Sequence, residues 1–213
     1  MANQLEKFGL RPYRKLDGTP LAGAQNRYTI KANYGQNIFQ GDLVIPVSTG
    51  NIERSVYNTS EAVVGVFNGC FFTDPTTGKP TFKNFYPAST NASDITAFVI
   101  DDPDAVFLMN ADAAFTRADL FKNYSLSSND GNTTTGISEA MLDVSVSGTA
   151  TTFAVQAIDI SQDPENSDTA TSNANVLVRI NNHFYRSGTG IASVSYTHLR
   201  AHETPEHRGL RVR

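Results

Sequence analysis

Hydrophobic positions in this chain come in short β-branched and aromatic runs, each cut off by Gly, Pro, Asn, Asp or Ser. That punctuation predicts strands joined by tight turns. The clearest case is residues 34–72. Gly41 and Asp42 open a strand over 43–47, residues 48–51 turn it, 52–56 return, and 62–67 form a third, more buried run. Tyr28, Ile30 and Ala32 alternate with polar neighbours and predict an earlier strand over 27–32. Further strands are predicted at 96–100, 105–109, 137–146, 152–160 and 176–180. Residues 74–80, rich in Asp, Pro and Gly, read as the loop of an aromatic hairpin that reaches from Phe71 to Tyr86, a feature of cores and subunit interfaces. Helical spacing is confined to 112–124, where Asp112 can cap and Phe115, Leu120 and Phe121 fall on one side.

The predicted fold is therefore mainly β: a β-barrel or sandwich-like meander with one short helix, an extended N-terminal arm and a second small β region. Residues 1–23 form the arm, 24–124 the main barrel-like domain and 125–193 the second region, which opens with the polar stretch 125–136. Within the arm, Phe8, Leu10 and Tyr13 offer apolar anchors, while Arg11 and Arg14 can fork carboxylates. Pro12 biases Arg11 toward extended backbone, as a segment lying across a neighbouring subunit requires.

Composition sharpens this picture at three points. At 213 residues the chain can bury a real core, and its net charge of −4 lacks the basic face of a nucleic-acid binder. No apolar run is long enough for a transmembrane helix, and the N-terminus has no secretory h-region, so synthesis in the cytosol is expected. Residues 194–204 (VSYTHLRAHET) resemble the translated product of a transposase-type sequencing adapter, so 194–213 is read as a non-native tail. Four arginines and two glutamates lie in that tail, and without them the net charge is −6. His198, His202 and His207 also lie there, which leaves His183 as the one native histidine.

Chemistry is sparse. The chain has no nucleophile elbow, Walker loop, dinucleotide fingerprint or paired cysteines, and Cys70, its single cysteine, is read as a buried structural thiol. Asp101, Asp102 and Asp104 could ligate calcium, but their spacing is not that of an EF-hand and Pro103 suits a solvated acidic turn. No catalytic residue, cofactor or metal is assigned.

A longer pattern does carry meaning. F-G-L-R-P-Y-R at 8–14 is followed by Y-T-I at 28–30, N-I-F-Q-G-D-L-V at 37–44 and V-V-G-V-F-N-G at 63–69. Then come D-P-x-x-G-K-P at 74–80, F-x-x-F-Y-P-A-S-T at 82–90, D-D-P-D-A-V-F at 101–107, L-V-R-I-N-N-H-F-Y at 177–185 and T-G-I at 189–191. In that order these segments resemble virion structural proteins of tailed bacteriophages, and G-D-x-V, T-G-x-I and V-G-V in succession look like capsid decoration or cement proteins. The resemblance implies a non-enzymatic protein on the capsid surface, made in the bacterial host cytoplasm, that stabilises the head by binding across capsomer junctions. Its partners would be the major capsid protein and neighbouring copies of itself, as a homo-oligomer such as a trimer, with neither nucleic acid nor membrane involved. Phe8, Leu10, Arg11, Tyr13 and Arg14 are then the candidates for capsid contact. The competing readings are a head-fibre or tail adhesin for host surface glycans, marked by aromatics with Asn and Asp around a sugar-sized cleft, and a virion-associated hydrolase with a carboxylate pair.

Overall fold

Short β-branched runs become fourteen strands in the computed structural model, which describes residues 3–21, 25–57, 62–127, 130–162 and 164–187. In chain order they are β1 (Arg11–Lys15), β2 (Asn26–Thr29), β3 (Leu43–Pro46), β4 (Ile52–Arg54), β5 (Gly65–Thr73), β6 (Pro80–Lys83) and β7 (Thr96–Ile100). There follow β8 (Ala105–Asn110), β9 (Asn123–Leu126), β10 (Gly131–Asn132), β11 (Ile137–Ser138), β12 (Leu142–Gly148), β13 (Val155–Ile160) and β14 (Asn175–Ile180). One antiparallel sheet has the order β1-β8-β14-β13-β9-β12. A second has the order β2-β7-β5-β3-β4, with β6 beside the far half of β5, and β10 pairs with β11 as a separate hairpin.

Period-two alternation sorts the side chains. Phe107, Met109, Val155, Val176 and Val178 of the first sheet meet Leu43, Ile45, Val66 and Ile100 of the second in one core. The opposite face of the second sheet carries Val44, Phe67, Cys70, Ala97 and Val99 into a separate cluster with Ile30, Ile38 and Tyr86. That sheet curls around the cluster: β2 and β4 are its opposite edges, yet Thr29 Oγ donates to Asn51, next to β4, at 2.9 Å. It does not close. The fold is a sandwich with a curled layer and no closed barrel.

Three expectations change. The helical spacing over 112–124 yields only one 3₁₀ turn, Arg117–Asp119. Its polar groups bond otherwise: the Thr116 N–H and hydroxyl donate to the nearby Asp119 carboxylate, and the Asp112 carboxylate accepts the backbone N–H of Val144 in β12. Phe115 and Tyr124 pack into the core with ring centroids 5.7 Å apart, while Phe121 turns out to solvent at φ +67°. Among the described residues the single α-helix is α1 (Phe184–Ser187), one turn at the other end of the chain. The division expected between 124 and 125 falls inside β9, and Tyr124, Val155 and Val178 share a core with Leu43 and Val66.

The third change concerns the arm. Its residues are stitched into their own fold, because β1 pairs with β8 and places Leu10 in the main core at 1% exposure. Phe8 covers Val106, Leu108 and Leu177 on the outer side of the first sheet. Two glycines permit the crossing. Gly9 and Gly41 both have positive φ, and a Cβ on Gly9 would lie 2.7 Å from the Gly41 carbonyl oxygen, which accepts the Leu10 N–H. Residues 194–213 and the T-G-I of 189–191 lie outside the described residues.

An N-terminal strand held this way contributes to stability. Leu10→Ala is expected to cost about 2–5 kcal/mol, and Tyr13→Ala about 0.5 kcal/mol or less, by urea denaturation. Equal, small effects at both positions would mean that the segment is not part of the core.

Candidate functional site

The five residues expected to touch a capsid divide by direction. Phe8 and Leu10 are inside, whereas Arg11, Tyr13 and Arg14 reach the surface of β1, a sheet edge. Arg11 lies over the Phe8 ring at 4.2 Å, which fixes its guanidinium. Leu5 and Leu16 are exposed on the same segment as Tyr13, so three large apolar side chains and two arginines stand within twelve residues. The edge itself is blunted. Pro12 has no N–H, and the register with β8 shifts between Pro12 and Arg14. Such an edge disfavours addition of a further strand.

The acidic turn is fully employed. Asp101 accepts both contacts of the Asn26 amide, at 3.1 and 2.9 Å, together with the Tyr28 hydroxyl. Asp102 pairs with Lys15 at 2.8 Å, which holds its pKa below the ordinary value, and Asp104 pairs with Arg186. Among the described residues, no three His, Cys, Asp or Glu side chains come together as metal ligands. Beside Asp101 opens a cleft of about 550 Å³ lined by Gln25, Asn26, Tyr28, Pro103 and Tyr185. The Tyr28 and Tyr185 hydroxyls are 2.7 Å apart, and burial with Asp101 pushes the Tyr28 pKa up, so it remains a donor.

Other ionisable groups are interior. Burial raises the Cys70 pKa to about 12 and lowers that of His183. Asp42 is the deepest carboxylate. It accepts from the Phe39 N–H at 2.8 Å, the Tyr57 hydroxyl at 2.7 Å and Ser138, and burial raises its pKa despite these bonds. Tyr57 in turn accepts from Ser125 Oγ of β9. This chain of bonds ties the curled sheet to both the hairpin and the first sheet.

Sequence reasoning located the aromatic hairpin but not its outward face. Register places Phe71 opposite both Phe82 and Thr96, Thr96 opposite Thr29, and Phe98 opposite Arg27. Paired residues share a face. Here it is the outer face of the curled sheet, beyond the part that the first sheet covers. Phe82 is 58% exposed and Phe71 41%, and Phe82 and Phe98 have ring centroids 6.2 Å apart. Phe82 also lies over Gly69, the bulge residue, where a Cβ would meet its ring at 2.8 Å. The signal was in the sequence as alternation, since Phe71 and Phe98 fall out of step with Cys70, Phe72, Ala97 and Val99. Compared with known protein families, curated proteins and solved structures, the chain matches none.

The raised pKa of Asp42 has a pH signature. Its contribution to stability is fully present below the ordinary carboxylate pKa and is lost as pH rises through the raised value. Asp17, Asp94, Asp102 and Asp119 are depressed and act oppositely, so their contributions fade as pH falls. Asp42→Asn isolates the one group. The unfolding free energy of wild type minus that of Asp42→Asn is expected to fall with rising pH across this window and then level off. A difference that rises, or stays flat, would contradict a buried carboxylate there.

Proposed function

We propose that this chain is a non-enzymatic structural protein of a tailed-phage virion, a decoration or cement protein that stabilises the head by binding across capsomer junctions. The observation that carries this reading is the N-terminal strip, where Leu5, Tyr13 and Leu16 stand beside Arg11 and Arg14 on a chain of net charge −4. Aromatic and arginine side chains held on a fixed edge are the composition of interface anchors. Their order is already set by β1 and by the Arg11–Phe8 contact, so little freedom is lost on docking. The acidic remainder faces outward, keeps particles soluble and repels packaged DNA. A standard interface of roughly 1,600 Å² per copy would suffice, because many copies act together. The partners in this reading are the major capsid protein and neighbouring copies, on the capsid surface after synthesis in the host cytoplasm.

A second reading, an adhesin for host surface glycans, has one observation in its favour. The cleft beside Asp101 combines two tyrosines with Asn26, Gln25 and a carboxylate, groups that stack on and hydrogen-bond sugars. There the amide and carboxylate already bond each other and the exposed Tyr185 hydroxyl donates to Tyr28, which keeps the Tyr185 oxygen open as an acceptor.

The test is binding of the full chain to expanded shells lacking accessory proteins, imaged to locate bound density. Density at regular capsomer junctions is expected, with Arg11→Glu combined with Tyr13→Ala weakening binding roughly tenfold or more. Absence of density, density at one vertex or the tail, or an unaffected double variant would overturn the proposal. Glycan binding lost in Tyr185→Ala would favour the adhesin.

A further inference from the structure

The phenylalanine face on the second sheet belongs to neither surface just described, and it has an internal symmetry of charge. Thr29, Thr96, Phe71 and Phe82 form one cross-strand row. Two residues from Thr96 in one direction is Phe98, with Arg27 beside it. Two residues in the other direction is Asp94, just before β7, which is held on the same side by its bonds to Thr73, the residue that alternates onto the face of Phe71 in β5. Asp94 is exposed and accepts from the Thr73 N–H at 3.0 Å and from Thr73 Oγ at 2.6 Å, so its position at the end of β5 is fixed. Thr73 holds its pKa below the ordinary value. Among the described residues, Arg27 has no carboxylate within ion-pair distance.

We infer that this face binds a second copy of the chain about a two-fold axis lying in the face along the row Thr29–Thr96–Phe71–Phe82. Rotation about that axis returns the row to itself, so Phe71 and Phe82 stack on their counterparts. It carries Asp94 of each copy over the Phe98–Arg27 position of the other. The two charges then pair twice across one interface, and the apolar centre is ringed by them. A two-fold contact requires this self-complementarity, in which position i meets j and j meets i. Face-to-face sheets pack with strands nearly aligned at a spacing of about 10 Å, which leaves room for interleaved phenyl rings. The ring edges and faces supply the attraction, and the paired charges set the register. An unrelated acidic or basic partner could satisfy only one of the two ends.

The contact is read by sedimentation of the full chain alone, so it does not depend on a shell. Wild type is expected to be a dimer at about 10 μM, and Phe82→Glu a monomer that melts at the wild-type temperature. Arg27→Asp and Asp94→Arg should each weaken the dimer about tenfold or more, because both place like charges opposite each other. Mixing those two variants is decisive. Each supplies what the other lacks at both ends, so the mixture should recover wild-type affinity. A monomeric wild type, a dimer insensitive to Phe82→Glu, or a mixture no tighter than its components would overturn the inference. If the chain is monomeric while Phe82→Glu loses shell binding, the face belongs to the shell, and the dimer is wrong although the virion role stands.

Discussion

The buried carboxylate of Asp42 is the constraint on which the rest of this structure depends. A charge in that position is expensive unless donors surround it, and three reach it from separate segments: the Phe39 N–H, Tyr57 and Ser138. Each donor therefore has one place to be. Tyr57 adopts a positive φ, rare for a bulky residue, and its carbonyl receives Ser125 from the first sheet. Ser138 belongs to the β11 hairpin, whose backbone also bonds Gln40. One residue earlier, Gly41 makes the close crossing with Gly9. Curled sheet, first sheet, hairpin and N-terminal segment thus meet around one carboxylate.

This geometry explains why residues 3–10 behave as a strap. A free arm would need its apolar anchors pointing at a neighbour. Here the Gly9 turn sends Phe8 to the outer face of the first sheet and Leu10 into the core, so the largest apolar groups are spent within the chain. What remains outward is Arg11, Tyr13 and Arg14, with Leu5 and Leu16 beyond them. The cost of ordering these side chains was met on folding, which suits a contact repeated over many copies.

Much of the fold was legible, because strands with one wet face alternate. The runs at 43–47, 96–100, 105–109 and 176–180 fall on observed strands within a residue or two, while 62–67 overlaps only the start of the longer β5. Long-range relations were not legible. That β8 pairs with both β1 and β14 joins residues 11, 108 and 177, and nothing local in the sequence encodes it. The same blindness divided the chain at 124, where a polar stretch merely follows a strand at the centre of the core. At 112–124 the spacing of Phe115, Leu120 and Phe121 mimicked a helix. Demand for Phe115 and Tyr124 in the core, together with the bonds that Asp119 accepts from Thr116 and Asp112 from Val144 of β12, overrode that propensity. The sites were less legible still. Which of Phe8 to Arg14 faced outward depended on the φ of Gly9, and the partners of Asp101, Asp102 and Asp104 came from residues 26, 28, 15 and 186.

The bulge in β5 links architecture to surface. Up to Phe67 the strand follows strict alternation, with Val66 toward the first sheet and Phe67 inside the curl. Between Phe67 and Cys70 two residues, Asn68 and Gly69, stand opposite the single Phe98, and this one extra residue makes Cys70 and Phe72 point into the curl again while Phe71 points out. Without that insertion the parity would reverse, placing Phe71 inside and Cys70 and Phe72 in water. Gly69 itself leaves the gap that the Phe82 ring fills, and a side chain there would displace it. Bulges bend a strand and increase its twist, and this one lies where the second sheet leaves the first. The bulge in β5 thus also aims Phe71 at solvent, beside the exposed Phe82. Clustered exposed aromatic area rimmed by charged side chains is the mark of an interaction surface. The two-fold pairing of Arg27 with Asp94 is the match the chain itself supplies.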